Sequence, residues 1–172
     1  MSTNLEDLAA RLTALEDIDA IRQLKARYLR CCDLKQVDEL RETLLPGTIR
    51  IEYQNFPLFT DRDAFLKVYQ ELACREGVYD IHHASNGEIA LTGPDTATGK
   101  WSLNFRTIVL ATRSVTRLAV EYEDVYRKQD GRWYIAETRT VVTSMFTEVV
   151  GEDGSPKYAV LGEAPAGVPE PA

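Results

Sequence analysis

Apolar positions recur with a helical period through the first 45 residues of the chain. An early stripe of four leucines has a three-four-three spacing: Leu5, Leu8, Leu12 and Leu15. This stripe is narrower than a core helix needs, so it suits either a packed neighbour in the same domain or another subunit. A second periodic run predicts the main buried helix, whose apolar face consists of Ile18, Ile21, Leu24, Tyr28 and Cys31. Arg22, Lys25 and Arg30 lie largely on its other faces.

The period changes from 3.6 to two after Pro46-Gly47, where a third helical segment, QVDELRETLL, ends. The segment TIRIEY alternates apolar and polar residues, which predicts a strand with one buried face. One more helix follows through RDAFLKVYQELAC, and Thr60 is placed to cap it, with Asp63 at its third position.

From about residue 80 onward the pattern is strand, turn, strand, with turns at TGPD, TRS and QDG. Two of these strands have clear inward faces, one formed by Trp101, Leu103, Phe105, Thr107 and Val109, the other by Leu118, Val120, Tyr122, Asp124 and Tyr126. The strands exceed the usual length of about 5–6 residues, so we expect a strongly curved sheet that wraps around something. Helices first and a meander afterwards predict an α+β fold.

Composition limits the function classes. A chain of 172 residues with 44% hydrophobic residues predicts one domain over residues 1–150, followed by a Pro/Gly/Ala-rich tail over residues 151–172 that could dock through Tyr158, Val160 and Leu161. A formal charge of -7 disfavours a nucleic-acid partner. Charged residues interrupt every apolar stretch near the N-terminus, so neither a signal peptide nor a membrane span is expected, and a cytoplasmic location follows as a prediction.

The three cysteines are an odd number without CxxC spacing. The odd number and the spacing argue against a disulfide framework and against a zinc site. Adjacent Cys31 and Cys32 on a helix also point about 100° apart, so they cannot bind one tetrahedral metal. We therefore expect Cys31, Cys32 and Cys74 to be buried, reduced thiols.

The order of elements and four local segments resemble the SnoaL-like branch of the nuclear transport factor two-like superfamily. These segments are EDIDAIRQLKARYLRCCDLKQVDEL, HHASNGEI, GPDTATGKW and EYEDVYRKQDGRWYIAETR. The resemblance covers about residues 5 to 147 and implies a cone, in which a bent antiparallel sheet surrounds an apolar pocket that helices close. It also implies assembly as a homodimer or homotrimer.

The most similar functional groups of that superfamily are the bile-acid dehydratases, scytalone dehydratases and steroid isomerases. They imply a lyase or isomerase without cofactor or metal, acting on a small, apolar, cyclic carbonyl compound. The superfamily also contains non-catalytic binders and the small subunit of ring-hydroxylating dioxygenases, so the fold alone does not assign a reaction.

Three residues match the catalytic positions of the dehydratases: Tyr28, Asp33 and His82. An aspartate that binds one imidazole nitrogen fixes the tautomer and makes the other nitrogen a better base, and a tyrosine can stabilise the resulting enolate. Five residues along a helix rotate by about 140°, so Tyr28 and Asp33 would diverge unless the helix ends near Cys32. Neighbouring strand residues face opposite sides, so we expect His83 outside the pocket or at its rim.

Each of these residues also has an ordinary structural interpretation. A tyrosine on an apolar helix face is usually a core residue, an aspartate at a helix end usually caps the next helix, and a single histidine at a strand start is usually structural. Further substrate-binding candidates, on the same reasoning, are Tyr53, Asn86, Trp101, Phe105, Tyr122, Asp124 and Arg139. Asp124 and Arg139 could form a pocket pair that binds an anionic group, although a surface or interface ion pair is the more common arrangement for such residues.

Two hypotheses follow from different classes. The first is a lyase or isomerase in which Asp33 and His82 remove a proton beside a carbonyl and Tyr28 stabilises its oxygen. The second is a protein that binds a hydrophobic ligand or docks to an oxygenase subunit. A third, epoxide hydrolysis, needs a carboxylate-arginine-carboxylate set, for which Asp33, Arg139 and Asp124 are candidates. Contact between the aspartate and the imidazole beside an enclosed pocket would favour catalysis.

Overall fold

The computed structural model describes residues 4–54 and 56–162, the last two by their backbone alone. It confirms an α+β fold with a large, curved, mostly antiparallel sheet. A short 3-10 turn, Leu110–Thr112, joins the fourth and fifth strands. The helices and strands are, in order, α1 (Leu5–Leu34), α2 (Val37–Arg41), β1 (Thr48–Glu52), β2 (Phe59–Asp61), α3 (Arg62–Ala73), β3 (Val78–Gly93), β4 (Thr96–Val109), β5 (Ser114–Gln129), β6 (Arg132–Val150) and β7 (Pro156–Gly162).

The two helical runs predicted at the start of the chain form one continuous helix of 30 residues. The Asn4 side chain caps it by accepting a hydrogen bond from the Asp7 amide at 2.7 Å, and Lys35 ends it in the left-handed conformation with φ 58°. One face of its second half is buried, whereas its first turns are exposed. Within the described chain, no helix combines the length and the apolar character that crossing a membrane requires.

One strand organises the sheet. β6 pairs with β5 along one side, and its other side is shared by β1, which runs parallel to it, and β7, which is antiparallel. The full order is β2-β1-β6-β5-β4-β3. α1 contacts both β3 and β6, so the helix crosses the open face of the sheet between strands far apart in this order.

Bulges bend the sheet around this helix. One lies in β3 between Ser85 and Glu88, where Asn86 takes a positive φ of 52°, and two more interrupt the pairing of β5 with β6. Gly87 lies in the first bulge, where an added Cβ would come within 2.3 Å of the Trp101 ring. This glycine therefore lets the edge strand approach the core closely.

Several element boundaries differ from those predicted. β3 begins at Val78, so both histidines lie inside a strand and not at its start. The cap of α3 is Asp61, which accepts from the Ala64 amide at 2.8 Å, and not Thr60. Residues 156–162 of the predicted tail form β7, because backbone pairing with β6 gives order without an apolar period. The tail residues from 163 onward lie outside the described residues, as does the Leu161 side chain.

The three cysteines are free, and Cys31 and Cys32 are buried as expected. The expected burial of Cys74 is wrong, because it follows the last residue of α3 and is partly exposed there. The prediction for Lys25 is wrong: its side chain is fully buried, although Arg22 and Arg30 are exposed as expected. Lys25 follows Ile21 by four positions and precedes Tyr28 by three, which is the spacing of one helix face. Periodicity therefore places it on the buried stripe, and only its charge argued otherwise.

Candidate active site

Asp33 and His82 are in direct contact. Asp33 lies in the last turn of α1, and its Oδ1 is 2.7 Å from Nδ1 of His82 in β3. The backbone amide of His82 also donates to Asp33 Oδ1 at 3.0 Å, so the carboxylate holds both the ring and the backbone of the same residue. A carboxylate acceptor requires a proton on Nδ1, which leaves Nε2 as the basic nitrogen.

The His82 ring also lies at the wall of an apolar cavity of about 180 Å³. Its centroid is 4.6 Å from that of Phe105, which packs beside it in the next strand. The cavity is lined mainly by aromatic and aliphatic side chains from α1, α3 and the sheet: Tyr28, Cys32, Tyr53, Phe56, Phe59, Phe65, Val68, Tyr69, Leu72, Ala73, Phe105 and Tyr122, together with Asp80 and His82. The His82 ring thus contacts the Asp33 carboxylate on one side and the apolar cavity on the other.

Three tyrosines form one side of this cavity, of which Tyr28 and Tyr122 are buried and Tyr53 is partly buried. The hydroxyls of Tyr28 and Tyr53 are hydrogen-bonded to each other, and the rings of Tyr53 and Tyr122 meet edge to face with centroids 6.3 Å apart. Burial raises the pKa of all three phenols well above the ordinary value of 10.0. They therefore remain protonated and present hydroxyl donors.

The divergence expected between Tyr28 and Asp33 occurs, because α1 continues to Leu34 and does not end near Cys32. Tyr28 faces the cavity, whereas Asp33 borders a separate cleft of about 460 Å³ between α1 and β3, where Arg22 and Arg30 also lie. His82 borders both spaces, so the divergence does not separate the aspartate from the site. Nor does Asp33 cap α2, whose N-terminal residue Gln36 has no side-chain cap.

His83 follows the expected alternation. It borders the outer cleft and a groove of about 470 Å³ lined by Ile81, Asn104 and Phe146, but it does not line the tyrosine cavity. Of the two adjacent histidines, His82 alone lines that cavity among the residues the structure describes.

Four of the seven further candidates lie outside the cavity. Trp101 is buried deeper in the sheet and donates to the Tyr126 hydroxyl at 3.0 Å, and Asn86 is exposed in the bulge, where it donates to Ser102. The predicted pocket pair of Asp124 and Arg139 is corrected. Asp124 is buried, but Arg139 is exposed and pairs with Glu123 at 3.0 Å. Tyr53, Phe105 and Tyr122 do line the cavity.

Arg139 borders a groove of about 690 Å³ across the sheet. Two ion pairs lie along it, Arg50 with Glu52 at 2.6 Å and Arg139 with Glu123 at 3.0 Å. An open groove lined by exposed charged side chains offers little desolvation, so the smaller, apolar cavity is the better candidate site.

Sequence reasoning missed a buried polar cluster next to the tyrosines. Lys25 lies 2.8 Å from Asp124, which also accepts hydrogen bonds from Tyr126 and Thr138 at 2.7 Å each. It also missed the contribution of α3 to the cavity, where the Tyr69 hydroxyl donates to the Cys32 carbonyl at 2.8 Å. Burial raises the pKa of the Cys32 thiol, which makes it a neutral wall residue.

Solved structures resemble the chain over most of its length. A hexachlorocyclohexane dehydrochlorinase, LinA-type3 from Novosphingobium barchaimii, is 16% identical with a TM-score of 0.70, covering 92% of this chain and 96% of that one. A candidate scytalone dehydratase from Novosphingobium aromaticivorans is 21% identical with a TM-score of 0.70, covering 92% and 98%. A protein of unknown function from Mycobacterium tuberculosis is 20% identical with a TM-score of 0.65, covering 83% and 78%.

These likenesses, all below 25% identity, show the shared cone fold. The model of the SnoaL-like domain matches residues 13–139, most of the chain, and this segment contains Tyr28, Asp33 and His82. The resemblance noted in the sequence is thereby confirmed: the chain belongs to the SnoaL-like domain family of the nuclear transport factor two-like superfamily.

Proposed function

We propose that the protein is a lyase of the dehydratase type that acts on a small, apolar, cyclic carbonyl compound without a cofactor. One observation carries this proposal: the imidazole of His82 is bonded to Asp33 on one side and faces an apolar, tyrosine-lined cavity on the other. Two structural neighbours with this fold are named as a dehydratase and a dehydrochlorinase, and both names denote eliminations.

The first step is proton removal. Nε2 of His82 takes a proton from the carbon next to the carbonyl, and the electrons of that C–H bond form the enolate. Nδ1 keeps its proton and donates a hydrogen bond to Asp33. The imidazolium that forms is therefore paired with a carboxylate at 2.7 Å. The bond to the backbone amide of His82 keeps Asp33 in place, which limits reorganisation of the pair during the reaction.

The second requirement is stabilisation of the enolate oxygen. In an apolar cavity a developing negative charge is costly unless donors already point at it. Tyr28 and Tyr53 supply two hydroxyls on the same wall, and one of them can turn from its partner to the substrate oxygen. Because burial raises the pKa of both phenols, the protons stay on the tyrosines and the charge stays on the substrate.

Elimination completes the reaction. The enolate re-forms the carbonyl, a carbon-carbon double bond forms, and the bond to the β-hydroxyl breaks. The His82 imidazolium returns its proton to that hydroxyl, which departs as water, so the base is regenerated and the atoms balance. A double-bond shift needs the same groups, with the proton returned to carbon in place of oxygen.

The cavity indicates the substrate class. Its volume of about 180 Å³ suits a compact ring system, and its walls are mostly aromatic. Phe56 and Leu72 are 49% and 44% exposed, so apolar side chains also line the route from solvent. Apart from Asp80 and His82, the lining residues that the structure describes carry no ionisable group that is charged at neutral pH, so a substrate with several charges would lose its hydration with little compensation.

The alternative is a non-catalytic protein that binds a hydrophobic ligand in the same cavity or docks to an oxygenase. The Asp33 contact favours catalysis over this alternative, because a pure binding pocket has no use for a base whose tautomer is fixed by a carboxylate. Epoxide hydrolysis is disfavoured, since Arg139 is exposed and paired with Glu123, and does not lie between Asp33 and Asp124.

The test is a screen of cyclic β-hydroxyketones and β-hydroxythioesters, followed by ultraviolet absorbance of the conjugated product. We expect turnover by the wild-type protein and loss of about 10²–10⁴-fold in kcat for His82→Gln. The adjacent His83→Gln is the matched control and should retain activity. Turnover that survives His82→Gln, or ligand binding without turnover across the screen, would contradict the proposal.

A further inference from the structure

A lysine lies behind the tyrosine wall of the cavity. Lys25, one helical turn before Tyr28 on α1, is the only basic residue in the described chain whose side chain is fully buried. Its Nζ is 3.7 Å from the centroid of the Tyr122 ring and 5.4 Å from that of Tyr28. Lys25 does not line the cavity itself, so any effect of its charge on a ligand passes through these rings.

The charges of the buried pair are unevenly compensated. Asp124 accepts hydrogen bonds from two hydroxyls, those of Tyr126 and Thr138, in addition to its contact with Lys25. The Lys25 ammonium is paired with Asp124 at 2.8 Å and has no other polar partner among the described residues. Its remaining N–H groups face aromatic rings, which compensate a positive charge only partly.

Such a pair is a poor means of stabilising a fold, because taking two charges out of water costs about as much as their attraction returns. Burial lowers the pKa of the Lys25 ammonium, and Asp124 opposes that change by favouring the charged form. Little water screens the charge of Lys25, but the Asp124 carboxylate offsets part of it. Together with burial, this carboxylate raises the pKa of Tyr53 and Tyr122. The effect at the tyrosine wall is therefore the difference between the two charges, and the rings of Tyr122 and Tyr28 lie nearest to the cation.

We propose that Lys25 is a positioning residue of the oxyanion-binding wall: its ammonium holds Tyr122 and Tyr28 from behind and makes the cavity prefer an anionic oxygen to a neutral one. The inference rests on the enolate chemistry proposed above and adds its electrostatic source. It extends the ligand class to planar phenolates, whose charged oxygen resembles that of an enolate.

The experiment uses para-nitrophenol, whose anion and neutral form are distinguished by absorbance. Its dissociation constant is measured with the full chain well below and well above the pH at which the probe ionises, and the ratio of the two constants gives the preference for the anion. We expect Lys25→Met to reduce this preference about ten-fold at equal affinity for the neutral form. Because all variants are compared at the same two pH values, any effect of His82 protonation on binding is common to them.

Lys128→Met is the matched control. Lys128 also has a carboxylate partner, Asp17 at 2.7 Å, and an aromatic neighbour, Trp133 at 5.6 Å, but it is partly exposed and remote from the cavity. Its removal should leave the preference unchanged. If Lys25→Met fails to fold, the double variant Lys25→Met/Asp124→Asn avoids an unpaired buried carboxylate. Because it also removes the anion that, together with burial, raises the pKa of Tyr122, it should show a smaller loss in the same direction. Lys25→Arg keeps the charge and should restore part of the preference.

An unchanged preference in Lys25→Met or in the double variant would overturn the inference, since the pair would then be structural only. A wild-type cavity that binds the neutral probe as tightly as the anion, or binds neither, would overturn it as well. The experiment measures binding and not turnover, so its result can be distinguished from a failure of the proposed elimination. If the protein prefers the anion because of Lys25 but turns over no hydroxyketone, the inference about Lys25 stands and the proposed reaction is wrong.

Discussion

At the scale of single residues, the site depends on one imidazole that borders two different environments. The outer cleft supplies His82 with a carboxylate, and the inner cavity supplies it with apolar walls and phenol donors. A base needs both, because the carboxylate fixes its tautomer and the apolar wall keeps water from competing for the proton. In the proposed reaction Asp33 therefore does not have to contact the substrate.

Replacing Asp33 with asparagine tests this division of roles. The amide can accept or donate toward Nδ1, so it no longer enforces a proton there or stabilises an imidazolium. We expect kcat to fall by about 10²–10⁴-fold, with KM little changed, because the substrate does not contact Asp33. Steady-state kinetics would measure the effect. Asp38→Asn, an exposed carboxylate of α2, is the control, and equal activity of Asp33→Asn and wild type would exclude the dyad.

Five of the eight tyrosines have their pKa raised above 10.0, with burial as the largest cause: Tyr28, Tyr53, Tyr69, Tyr122 and Tyr126. The unfolded chain therefore loses these protons at lower pH than the folded chain does. The stability that these five phenols contribute is fully present below pH 10.0 and is lost as the pH rises from there through their folded pKa values. We expect tyrosinate absorbance from these five residues only on alkaline unfolding. Titration of all eight at their ordinary pKa in the native protein would contradict their burial.

The limits of sequence reasoning are visible at particular residues. Alternation correctly put Trp101 and Phe105 on one face, but four residues of strand span about 13 Å, so only Phe105 reaches the cavity. Arg139 was wrongly paired with Asp124, because the register opposite Asp124 is Thr138 and the next residue must point outward. Asp33 and His82 came from the resemblance to a family. No periodicity connects two residues 49 positions apart.

At the scale of elements, α3 covers the cavity and its start depends on one cap. Asp61→Ala removes the acceptor of the Ala64 amide and should lower the free energy of unfolding by about 1 kcal/mol. Thr60→Ala, one residue earlier, should have little effect, because the structure gives Thr60 no capping bond. Urea unfolding of both variants would measure the difference. A larger loss of unfolding free energy for Thr60→Ala would show that Thr60 is the cap, as the sequence predicts.

The elements themselves followed from periodicity, but their junctions did not. β1, β4 and β5 have the buried faces that alternation predicts. The joining of two helical runs into α1 was missed because the stripe shifts between them, and β7 was missed because pairing with β6 needs backbone groups and no apolar pattern. Boundaries of this kind are set by partners distant in sequence, which a local pattern does not contain.

At the scale of the whole molecule, the first turns of α1 carry the four leucines without a partner in the described chain. Their side chains are between 48% and 85% exposed: Leu5, Leu8, Leu12 and Leu15. Apolar stripes of this kind on a rigid helix commonly mark a contact with another protein. We propose that a second copy of this chain covers the stripe, giving the homodimer or homotrimer that the family resemblance implies.

The double variant Leu8→Gln/Leu12→Gln tests this assembly. If each leucine is buried between subunits, removing two of them costs about 3–6 kcal/mol of association free energy, enough to dissociate a micromolar oligomer. Light scattering after size-exclusion chromatography should show an oligomer for the wild type and a monomer for the variant. The pair of Asp33 and His82 should be unaffected, because Asp33 lies at the other end of the same helix. Arg11→Gln changes an exposed polar residue of the same turns and should leave the mass unchanged. A monomeric wild type, or an oligomer that survives the double substitution, would show that the leucines serve another purpose and that any assembly uses a different face.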